Sequence, residues 1–517
     1  MTKTVSSTIA GRRAEGGAHT IRSVNPADLE QAVAEVHLGD GETYADAARA
    51  AKRAQPEWAA IPAPVRGQVV ANIARLVGDN KDRLAASITG EVGKTTVEAL
   101  GEVQEVIDTC EFFLGEGRRL YGMTVPSEMP SKQLMTFRAP VGSVAVITAG
   151  NFPVAVPSWY LVPALLCGNT VVWKPAEYAA ATAHAMAELF WHGGVPPAAL
   201  NVVHADGAAT FDGLGRALEE GTIDKVGFTG STAVGRRIGA LCGEHLQTPC
   251  LELGGKNPLV VMPDADLGLA VEGALFSGFG TAGQRCTSLG TAIVHEDLHD
   301  EFLARLTEAV EAAPIGDPTQ DVLYGPMMDE RFLARFEEEW LGLIWDHHAV
   351  GGSQGVGQIT ADNPRRGFVG ADPERGMFVH PTIVSGVRSD DELARTETFG
   401  PLIGVARFGD WEEAMALAND HGYGLSAAIY TNDPRTAFLF RAESSAGMVS
   451  INNSTSGAEA HLPFGGNGKS GNGSRQSGVW VLDQFTRWQA VNWDYAGKLQ
   501  RAQMDVAEID ADLEFRI

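Results

Sequence analysis

The sequence lacks any apolar segment long enough to cross a membrane as a helix. Its 517 residues contain no run of about 18 uninterrupted apolar residues, the length that such a helix needs. The chain also does not open with the apolar core of a secretory signal. We therefore predict a cytoplasmic protein without a membrane partner. The first residues, MTKTVSSTIAGRR, are hydroxyl-rich and basic like a transit peptide, but we interpret residues 1–20 as a flexible polar arm.

Cysteine is scarce and positive charge is in deficit. The five cysteines are scattered, odd in number and without a CxxC pair, which argues against both a disulfide framework and a zinc site. Lys and Arg number 40 against 65 Asp and Glu, which gives a formal net charge of -25. Such a surface is a poor match for nucleic acid, because phosphates are bound by clustered Lys and Arg. We expect reduced thiols, no bound metal and no nucleic-acid partner.

The pattern of apolar residues predicts two α/β units behind a helical preface. Hydrophobic residues make up 44% of the chain, enough for two or three domains. Apolar spacing is helical over 45–122, and then the short runs VGSVAVITA, NTVVWKP, LNVVHA and KVGFTG alternate with helix-length segments. This rhythm predicts a parallel sheet whose ligands bind beyond the carboxyl ends of its strands. A second α/β unit follows from about Pro258 to Asn452, and WVLDQFTRWQAVNW predicts a last strand that docks elsewhere, such as on a partner subunit.

One cysteine stands in a setting suited to chemistry. The segment FGTAGQRCT places Cys286 behind small residues and Gly283, where the backbone can bring a thiol close to a ligand. A lone cysteine is more often a small core residue than a nucleophile. The functional interpretation is a thiolate that attacks a carbonyl, and nearby positive charge or a base would help it to form. Arg285 is adjacent in sequence, although the direction of its side chain is open.

Two further strand-end motifs carry side chains suited to the same chemistry. LELGGKNP holds Glu252 between two leucines, and burial among such neighbours raises a carboxyl pKa toward that of a base that activates water. The alternative is an ion-paired structural glutamate. In ITAGNFPVAVPSW, Asn151 follows a strand, where its amide would donate to an oxyanion together with the backbone N–H of Cys286. The alternative is an ordinary turn asparagine.

The chain has no GxGxxG fingerprint, but two strand-end motifs are suited to a dinucleotide. In GFTGSTAVG, Gly230 permits close backbone approach, and Ser231, four residues before Gly235, can cap a helix whose N-terminus attracts pyrophosphate. In VVWKPAE, Lys174 and Glu177 are candidates for binding the adenosine ribose. A carboxylate there would repel a 2′-phosphate, which favours NAD over NADP. Taken singly, each motif is equally typical of a capped helix or a surface ion pair.

Seven motifs in a fixed order resemble one family. NFPVAVPSW, VVWKPAE, GFTGSTAVG, LELGGKNP, GTAGQRCT, ETFGP and LPFGG look like the aldehyde dehydrogenase superfamily, from about residue 20 to about residue 495. The resemblance implies an α/β fold with a Rossmann-like cofactor domain, an α/β catalytic domain and a small β oligomerisation flap, in a homodimer or homotetramer. The expected boundaries are 21–130 and 141–253 for the cofactor domain, 254–452 for the catalytic domain, 131–140 and 478–500 for the flap, and 501–517 for a tail.

The resemblance also implies a mechanism. The Cys286 thiolate would attack a small-molecule aldehyde, Asn151 would hold the oxyanion while a hydride passes to NAD, and water activated by Glu252 would hydrolyse the thioester. A base at this position favours release of a free acid, because relatives that acylate coenzyme A commonly lack it. In ETFGP, Glu397 and Phe399 match the positions that hold the nicotinamide ribose and pack against the nicotinamide. The Lys–Glu pair of VVWKPAE matches the adenosine-ribose pair.

A narrower similarity concerns the substrate. GEVQE, GTAGQRCT and TSGAE look like the branch that oxidises α-aminoadipic semialdehyde. By this resemblance Glu105 would bind the amino group, and Arg285 with Ser456, Gly457 and Ala458 would hold the carboxylate, an arrangement of opposite charges that suits an amino acid. The stretch after GAE, the segment 348–376 and the acidic tail depart from that branch.

Two other interpretations remain open. The protein could oxidise a different acidic semialdehyde, such as a 2-oxo acid semialdehyde, which would offer Glu105 no amino group. Alternatively it could be a structural protein that binds the cofactor and has lost catalysis, although all three catalytic residue types are present. A solvated helix face for Glu105 and a structural ion pair for Arg285 are the corresponding non-functional interpretations of those two residues.

Overall fold

The computed structural model describes residues 3–14, 19–344, 350–351 and 354–517. Its amino-terminal part consists of strands β1 (Lys3–Ser6), β2 (Thr8–Ile9), β3 (Arg12–Arg13), β4 (His19–Asn25) and β5 (Asp28–Leu38) and helices α1 (Gly41–Ala60), α2 (Ala63–Asp79), α3 (Lys81–Val92) and α4 (Thr96–Leu114). β1 pairs in parallel with β5, and Val5 is buried. The predicted flexible arm over 1–20 is therefore wrong for residues 3–14, because strand pairing and burial order them. Residues 1, 2 and 15–18 lie outside the described residues.

The middle of the chain forms the predicted parallel sheet. This part of the chain contains strands β6 (Thr124–Val125), β7 (Lys132–Pro140), β8 (Ser143–Ile147), β9 (Thr170–Lys174), β10 (Leu200–Val202), β11 (Lys225–Thr229) and β12 (Cys250–Glu252) and helices α5 (Ala155–Leu166), α6 (Ala180–His192), α7 (Gly207–Glu219) and α8 (Thr232–Glu244). β6 and β7 lie outside the parallel sheet. The sheet order is β12-β11-β8-β9-β10-β2-β3, and the strands from β12 to β10 are parallel. β8 and β9 are buried on both faces, as expected of a sheet covered by helices on two sides. The carboxyl ends of β8, β9 and β11 therefore lie side by side.

A second sheet forms in the next third of the chain. The remaining strands are β13 (Asn257–Val261), β14 (Leu289–His295), β15 (Ile315–Gly316), β16 (Val350–Gly351), β17 (Phe368–Val369), β18 (Thr382–Ser385), β19 (Leu402–Phe408), β20 (Tyr423–Gly424), β21 (Ser426–Tyr430), β22 (Met448–Ile451), β23 (Asn467–Gly468) and β24 (Thr486–Asp494). The remaining helices are α9 (Leu267–Phe279), α10 (Glu296–Ala312), α11 (Glu330–Arg335), α12 (Glu392–Arg395), α13 (Trp411–Asn419), α14 (Pro434–Glu443) and α15 (Leu482–Phe485). The sheet order is β16-β18-β19-β14-β13-β21-β22, in which only the pairing of β16 is antiparallel. The prediction of an α/β fold with two units is confirmed.

The last strand of the chain pairs with a strand from the first third of the chain. β24 pairs antiparallel with β7 along its whole length, and β6 extends the sheet on the other side of β7. The strand starts only at Thr486, because Val481, Leu482 and Phe485 before it are buried in the core of the first unit. The tail at 501–517 forms no regular element and is largely exposed. Within the segment 348–376, residues 348, 349, 352 and 353 lie outside the described residues.

Helix α4 positions much of the site described below. It begins at Thr96 because the side chain of Thr95 accepts a hydrogen bond from the backbone N–H of Glu98 at 3.3 Å. It packs against α2, α3 and α5, so it joins the helical preface to the first sheet. No helix among the described ranges is both long and apolar enough to cross a bilayer.

Candidate active site

The loop before Cys286 has an unusual backbone. α9 ends at Phe279, and Thr281, Ala282 and Gly283 follow with φ of 53°, 52° and 68°. Residues other than glycine rarely adopt this left-handed region, so contacts must hold the turn in place. A Cβ at Gly283 would lie 2.1 Å from the carbonyl oxygen of Gly400, so no other residue fits there. Gly283 thus allows this loop to pack closely against the segment ETFGP.

Hydrogen bonds to backbone carbonyls fix the loop beyond Cys286. Asn257 Nδ2 donates to the carbonyl oxygen of Cys286 at 2.9 Å. The hydroxyls of Thr455 and Ser456 donate to the carbonyl oxygen of Thr287 at 2.8 Å and 3.3 Å. Because these bonds do not use the thiol, the position of Cys286 is set without engaging its sulfur.

Asn151 reaches the same loop from the first sheet. It follows β8, is buried, and its Nδ2 donates to the carbonyl oxygen of Gln284 at 2.8 Å. A side-chain amide carries two N–H donors, so one donor remains for a ligand. The side chain of Asn151 therefore contacts the residue two positions before Cys286, as the sequence predicts.

Cys286 differs from the other thiols of the chain. All five cysteines are free, and only Cys286 is partly exposed while the other four are buried. Burial of its sulfur, followed by the negative charges of Glu397 and Glu252, raises the pKa of the Cys286 thiol to about 12. The thiol is therefore protonated at neutral pH, and it needs a base to become a nucleophile.

Arg285 does not provide positive charge to this thiol. Its guanidinium forms an ion pair with Glu98 of α4, donates to Thr281 Oγ1 at 3.1 Å and lies 4.7 Å from the ring centroid of Phe276. The expectation that it would help the Cys286 thiolate to form is not met, because its charge is already paired. Of the two interpretations of Arg285, the structural ion pair is the one observed.

Glu252 is a buried carboxylate at the end of β12. Only 3% of the residue is exposed, and neither carboxylate oxygen has a hydrogen-bond partner within the described part of the chain. Burial raises its pKa well above the usual value, although the charge of Arg475 acts in the opposite direction. A Cβ at Gly465 would lie 2.7 Å from Glu252 Oε1, so the carboxylate rests against the segment LPFGG. These are the apolar surroundings that the sequence predicts.

The candidate dinucleotide residues lie at the carboxyl ends of β9 and β11, which β8 separates in the sheet. Lys174 Nζ and Glu177 Oε2 are 3.2 Å apart beyond β9, and both side chains are largely buried. Ser231 caps α8 through its Oγ, as predicted. Gly230 and Gly235 are packing positions, because a Cβ at either would lie within 2.6 Å of the side chain of Phe228 or Leu253, respectively. Asn151 follows β8, between these two strands in the sheet.

Glu397 and Phe399 belong to the second unit. Glu397 Oε1 accepts a hydrogen bond from the backbone N–H of Gly255 at 3.0 Å, and burial raises its pKa to about 7. A Cβ at Gly254 would lie 1.9 Å from Glu397 Oε2, so the first glycine of LELGG makes room for this carboxylate. Phe399 has a positive φ of 40°, and its ring centroid is 5.6 Å from that of Phe332.

A cavity of about 450 Å³ lies between α4 and the segment after Ser456. Its lining residues are Gly101, Glu105, Asp108, Glu111, Phe112, Ala458, Glu459, Ala460 and His461. Glu105 and Ala458 therefore share a cavity. Arg285 does not line this cavity. The hydroxyl of Ser456 is hydrogen-bonded to the carbonyl oxygen of Thr287, and Gly457 has a φ of 142°, which suits glycine. The five predicted substrate residues are thus only partly brought together.

Comparison with known proteins agrees with this geometry. The model of the aldehyde dehydrogenase family matches residues 13–491. The chain belongs to this family. It is 37% identical over 471 residues to an alpha-ketoglutarate semialdehyde dehydrogenase of Haloferax volcanii, covering 90% of this chain and 94% of that protein. It is 35% identical over 494 residues to an alpha-aminoadipic semialdehyde dehydrogenase of Bos taurus, covering 94% and 88%.

Solved aldehyde dehydrogenases share the fold. A betaine aldehyde dehydrogenase of Staphylococcus aureus, crystallised with NAD+, superposes with a TM-score of 0.89 at 27% identity, covering 96% of this chain and 95% of that one. The predicted resemblance is confirmed, and the protein is an oxidoreductase that acts on aldehydes.

Several residues around the site of this aldehyde dehydrogenase were not predicted from the sequence. Asn257 lies inside LELGGKNP, so its place in that motif was the available signal. Lys94 precedes α4, and Glu98 and Glu102 lie in its first two turns, where their spacing is equally typical of a solvated helix face. Only the structure shows that all three are directed into the protein.

Proposed function

We propose that the protein oxidises an aldehyde to the free acid through a thioester on Cys286. The observation that carries this proposal is the contact of Asn151 with the Cys286 loop, made between two separate sheets, beside an unpartnered buried carboxylate at Glu252. A nucleophile, an amide donor and a base of raised pKa are the three groups that acyl transfer to water requires.

The proposed steps move protons between these groups. Glu252 takes the proton of the Cys286 thiol, and Sγ then forms a bond to the carbonyl carbon, whose π electrons pass to oxygen. Asn151 Nδ2 and the backbone N–H of Cys286 donate to that oxyanion. When the oxyanion collapses, the carbon gives up a hydride to the acceptor proposed below and becomes the carbonyl carbon of a thioester. Glu252 releases the thiol proton to solvent and then takes a proton from water while the water oxygen bonds to the thioester carbon. The carbon–sulfur bond breaks, the sulfur takes that proton from Glu252, and the acid and the thiol are released.

We propose NAD as the hydride acceptor. Bound NAD supplies an electron-poor nicotinamide ring that accepts the hydride. The structure offers matching side chains: the Lys174–Glu177 pair beyond β9 and the capped N-terminus of α8 suit the adenosine ribose and the pyrophosphate. The buried carboxylate of Glu397 suits a ribose hydroxyl, and Phe399 suits contact with a ring.

Glu177→Gln is expected to weaken discrimination between NAD and NADP. The carboxylate would accept hydrogen bonds from ribose hydroxyls and repel a 2′-phosphate, so its loss should raise KM for NAD roughly tenfold and lower KM for NADP. Steady-state NADH and NADPH formation at matched aldehyde concentration measures both. Glu188→Gln, an exposed change on α6, is the matched control. If the ratio of KM for NAD to KM for NADP were unchanged in Glu177→Gln, the assignment of Glu177 to the adenosine ribose would be contradicted.

We propose an α-amino semialdehyde of the α-aminoadipic type as the substrate class. Glu105 Oε1 is buried without a hydrogen-bond partner in the described part of the chain, and the residue lines the cavity beside Ala458. An ammonium group would satisfy that oxygen. A 2-oxo acid semialdehyde is the second candidate, since one relative acts on alpha-ketoglutarate semialdehyde and Glu105 would then face no cation.

Glu105→Gln separates these two substrates. It is expected to raise KM for the α-amino semialdehyde roughly tenfold or more and to leave KM for a 2-oxo acid semialdehyde or a simple aliphatic aldehyde unchanged. Burial raises the pKa of Glu105 to about 8, so the ionised fraction grows as pH rises through 8, and KM for the amino substrate should fall over that range. The readout is NADH formation across an aldehyde panel and a pH series. Equal effects on all aldehydes would refute the amino-group role.

We propose that the protein is a homodimer or homotetramer built through its flap. β24 carries the exposed side chains of Trp488 and Trp493, and Phe137 of β7 is also exposed. Exposed aromatic side chains on one sheet are typical of an interface. Sedimentation equilibrium of the full chain distinguishes monomer, dimer and tetramer.

A further inference from the structure

Three glutamates share one face of α4. Glu98, Glu102 and Glu105 are separated by four and three residues, a spacing that places their side chains on one side of a helix. This face is directed into the protein, since Glu102 is 2% exposed and the side chain of Glu98 is 15% exposed. Buried carboxylates require partners. The partners of Glu98 and Glu102 lie on the two loops that carry the reacting groups.

Glu102 caps the helix that follows the Asn151 loop. Its Oε1 accepts hydrogen bonds from the backbone N–H groups of Val154 and Ala155 at 2.9 Å and 3.1 Å. These residues begin α5, whose own N-cap residue makes no side-chain cap. A carboxylate at a helix N-terminus is favoured by the helix dipole as well as by these two bonds. The backbone three residues beyond Asn151 is thereby fixed to α4.

Lys94 also contacts the Asn151 loop. Its Nζ donates to Glu102 Oε2 at 2.5 Å and lies 3.5 Å from the ring centroid of Phe152, the residue after Asn151. Both members of this fully buried ion pair thus contact the Asn151 loop. Neither contacts the reacting atoms.

Glu98 holds the Cys286 loop in the corresponding way. It pairs with the guanidinium of Arg285 and accepts a hydrogen bond from Thr281 Oγ1 at 3.0 Å. Burial alone would raise the pKa of Glu98, but Arg285 and Lys94 hold it below its usual value, so this anchor is ionised. Thr281 and Ala282 are the left-handed residues of the turn, and a backbone of this kind persists only where its surroundings fix it.

We propose that Glu98 and Glu102 are positioning residues that hold the Cys286 loop and the Asn151 loop on one rigid helix, so that the two oxyanion donors face one site. The donors come from different sheets, and the bond from Asn151 to Gln284 is the direct link between them. One turn of α4 provides a second link, through one carboxylate for each loop. This inference rests on the proposed function, because it assigns a role in the same reaction.

The test for Glu102 is a double-mutant cycle with Asn151. Lys94→Met with Glu102→Leu removes the acceptor and both charges together, which avoids leaving a lone buried charge. Its kcat is expected to fall about a hundredfold, as for a misplaced donor, with the dissociation constant for NAD unchanged. In an Asn151→Ala background the same pair of changes should cause little further loss, because Glu102 acts through Asn151.

A conservative variant separates positioning from stability. Lys94→Met with Glu102→Gln keeps an oxygen that can accept from Val154 and Ala155, so it should recover most of the lost kcat. Asp79→Asn, an exposed change at the end of α2, is the control and should match the wild type. Thermal melting shows that each variant is folded. Wild-type kcat in the Leu variant, failure of the Gln variant to recover activity, or losses that add fully to those of Asn151→Ala would each overturn the assignment.

Glu98 has a readout that does not depend on turnover. Glu98→Gln should change the rate at which iodoacetamide alkylates Cys286 severalfold, because the thiol loop shifts, whereas the Glu102 variants should leave that rate unchanged. Mass spectrometry of the labelled peptide measures it. An unchanged rate in Glu98→Gln would refute its positioning role. If the wild-type protein oxidised no aldehyde, the proposed function would fail, while this alkylation test would still decide the role of Glu98.

Discussion

Cys286→Ala is expected to abolish NADH formation while NAD binding stays nearly unchanged. The variant lacks the sulfur that would carry the thioester, and enzymes that lose a covalent nucleophile retain roughly 10⁻⁴ of their rate or less. The loop should keep its shape, because Asn257 and Thr455 bind its backbone and not the thiol. Absorbance of NADH measures turnover, and isothermal titration measures the dissociation constant for NAD.

A second thiol supplies the matched control for this variant. Cys167→Ala removes the same sulfur atom from a buried position at the end of α5. It should lower the melting temperature slightly and leave turnover at the wild-type level. Retained turnover in Cys286→Ala, or a comparable loss in Cys167→Ala, would eliminate the thioester mechanism.

Glu252→Gln is expected to stop the reaction after one turnover. Glutamine has the shape of glutamate but cannot take a proton from water, so the thioester should accumulate. Rapid mixing should show a burst of NADH close to one equivalent per subunit, slowed because the thiol also loses its base. Steady-state turnover should then be roughly 10²- to 10⁴-fold below that of the wild type. Mass spectrometry of the quenched protein should find Cys286 acylated.

The raised pKa of Glu252 gives two further signatures. A base must be ionised to act, so wild-type turnover should increase as pH rises through this pKa, and the variant should lose that dependence. The folded-state pKa lies above the unfolded value, so ionising Glu252 costs stability as pH rises. Glu252→Gln should therefore melt at a higher temperature than the wild type near neutral pH. A variant without a burst, or with a lower melting temperature, would contradict this assignment.

The sequence predicts the sheets better than it predicts the contacts between them. The strand runs VGSVAVITA, NTVVWKP and KVGFTG lie where the apolar pattern places them, because buried parallel strands are apolar on both faces. The position of Asn151 follows from the rule that ligands bind beyond the carboxyl ends of strands, whereas Cys286 lies in the loop before β14 and was found from its motif. Strands β1 and β2 were missed because they are short and polar and pair with distant residues.

The direction of charged side chains could not be predicted from spacing. A helix with glutamates four and three residues apart has the same pattern whether that face meets water or the protein core. Glu98 is paired with Arg285, and Glu102 binds the N-terminus of α5. Both partners are remote from α4 in sequence. For the same reason, the position of Arg285 next to Cys286 in the sequence did not show that the charge of Arg285 is paired with Glu98 of α4.

The pairing of β7 with β24 sets an order for folding during synthesis. All strands of the second sheet come from one contiguous stretch, Asn257–Val261 to Met448–Ile451, so this sheet can form while the ribosome still holds the end of the chain. β7 emerges long before β24 and has only the short β6 beside it until the last residues appear. An open strand edge invites pairing with other nascent chains. Translation that stops before Thr486 should therefore yield aggregates in which the second sheet is already formed.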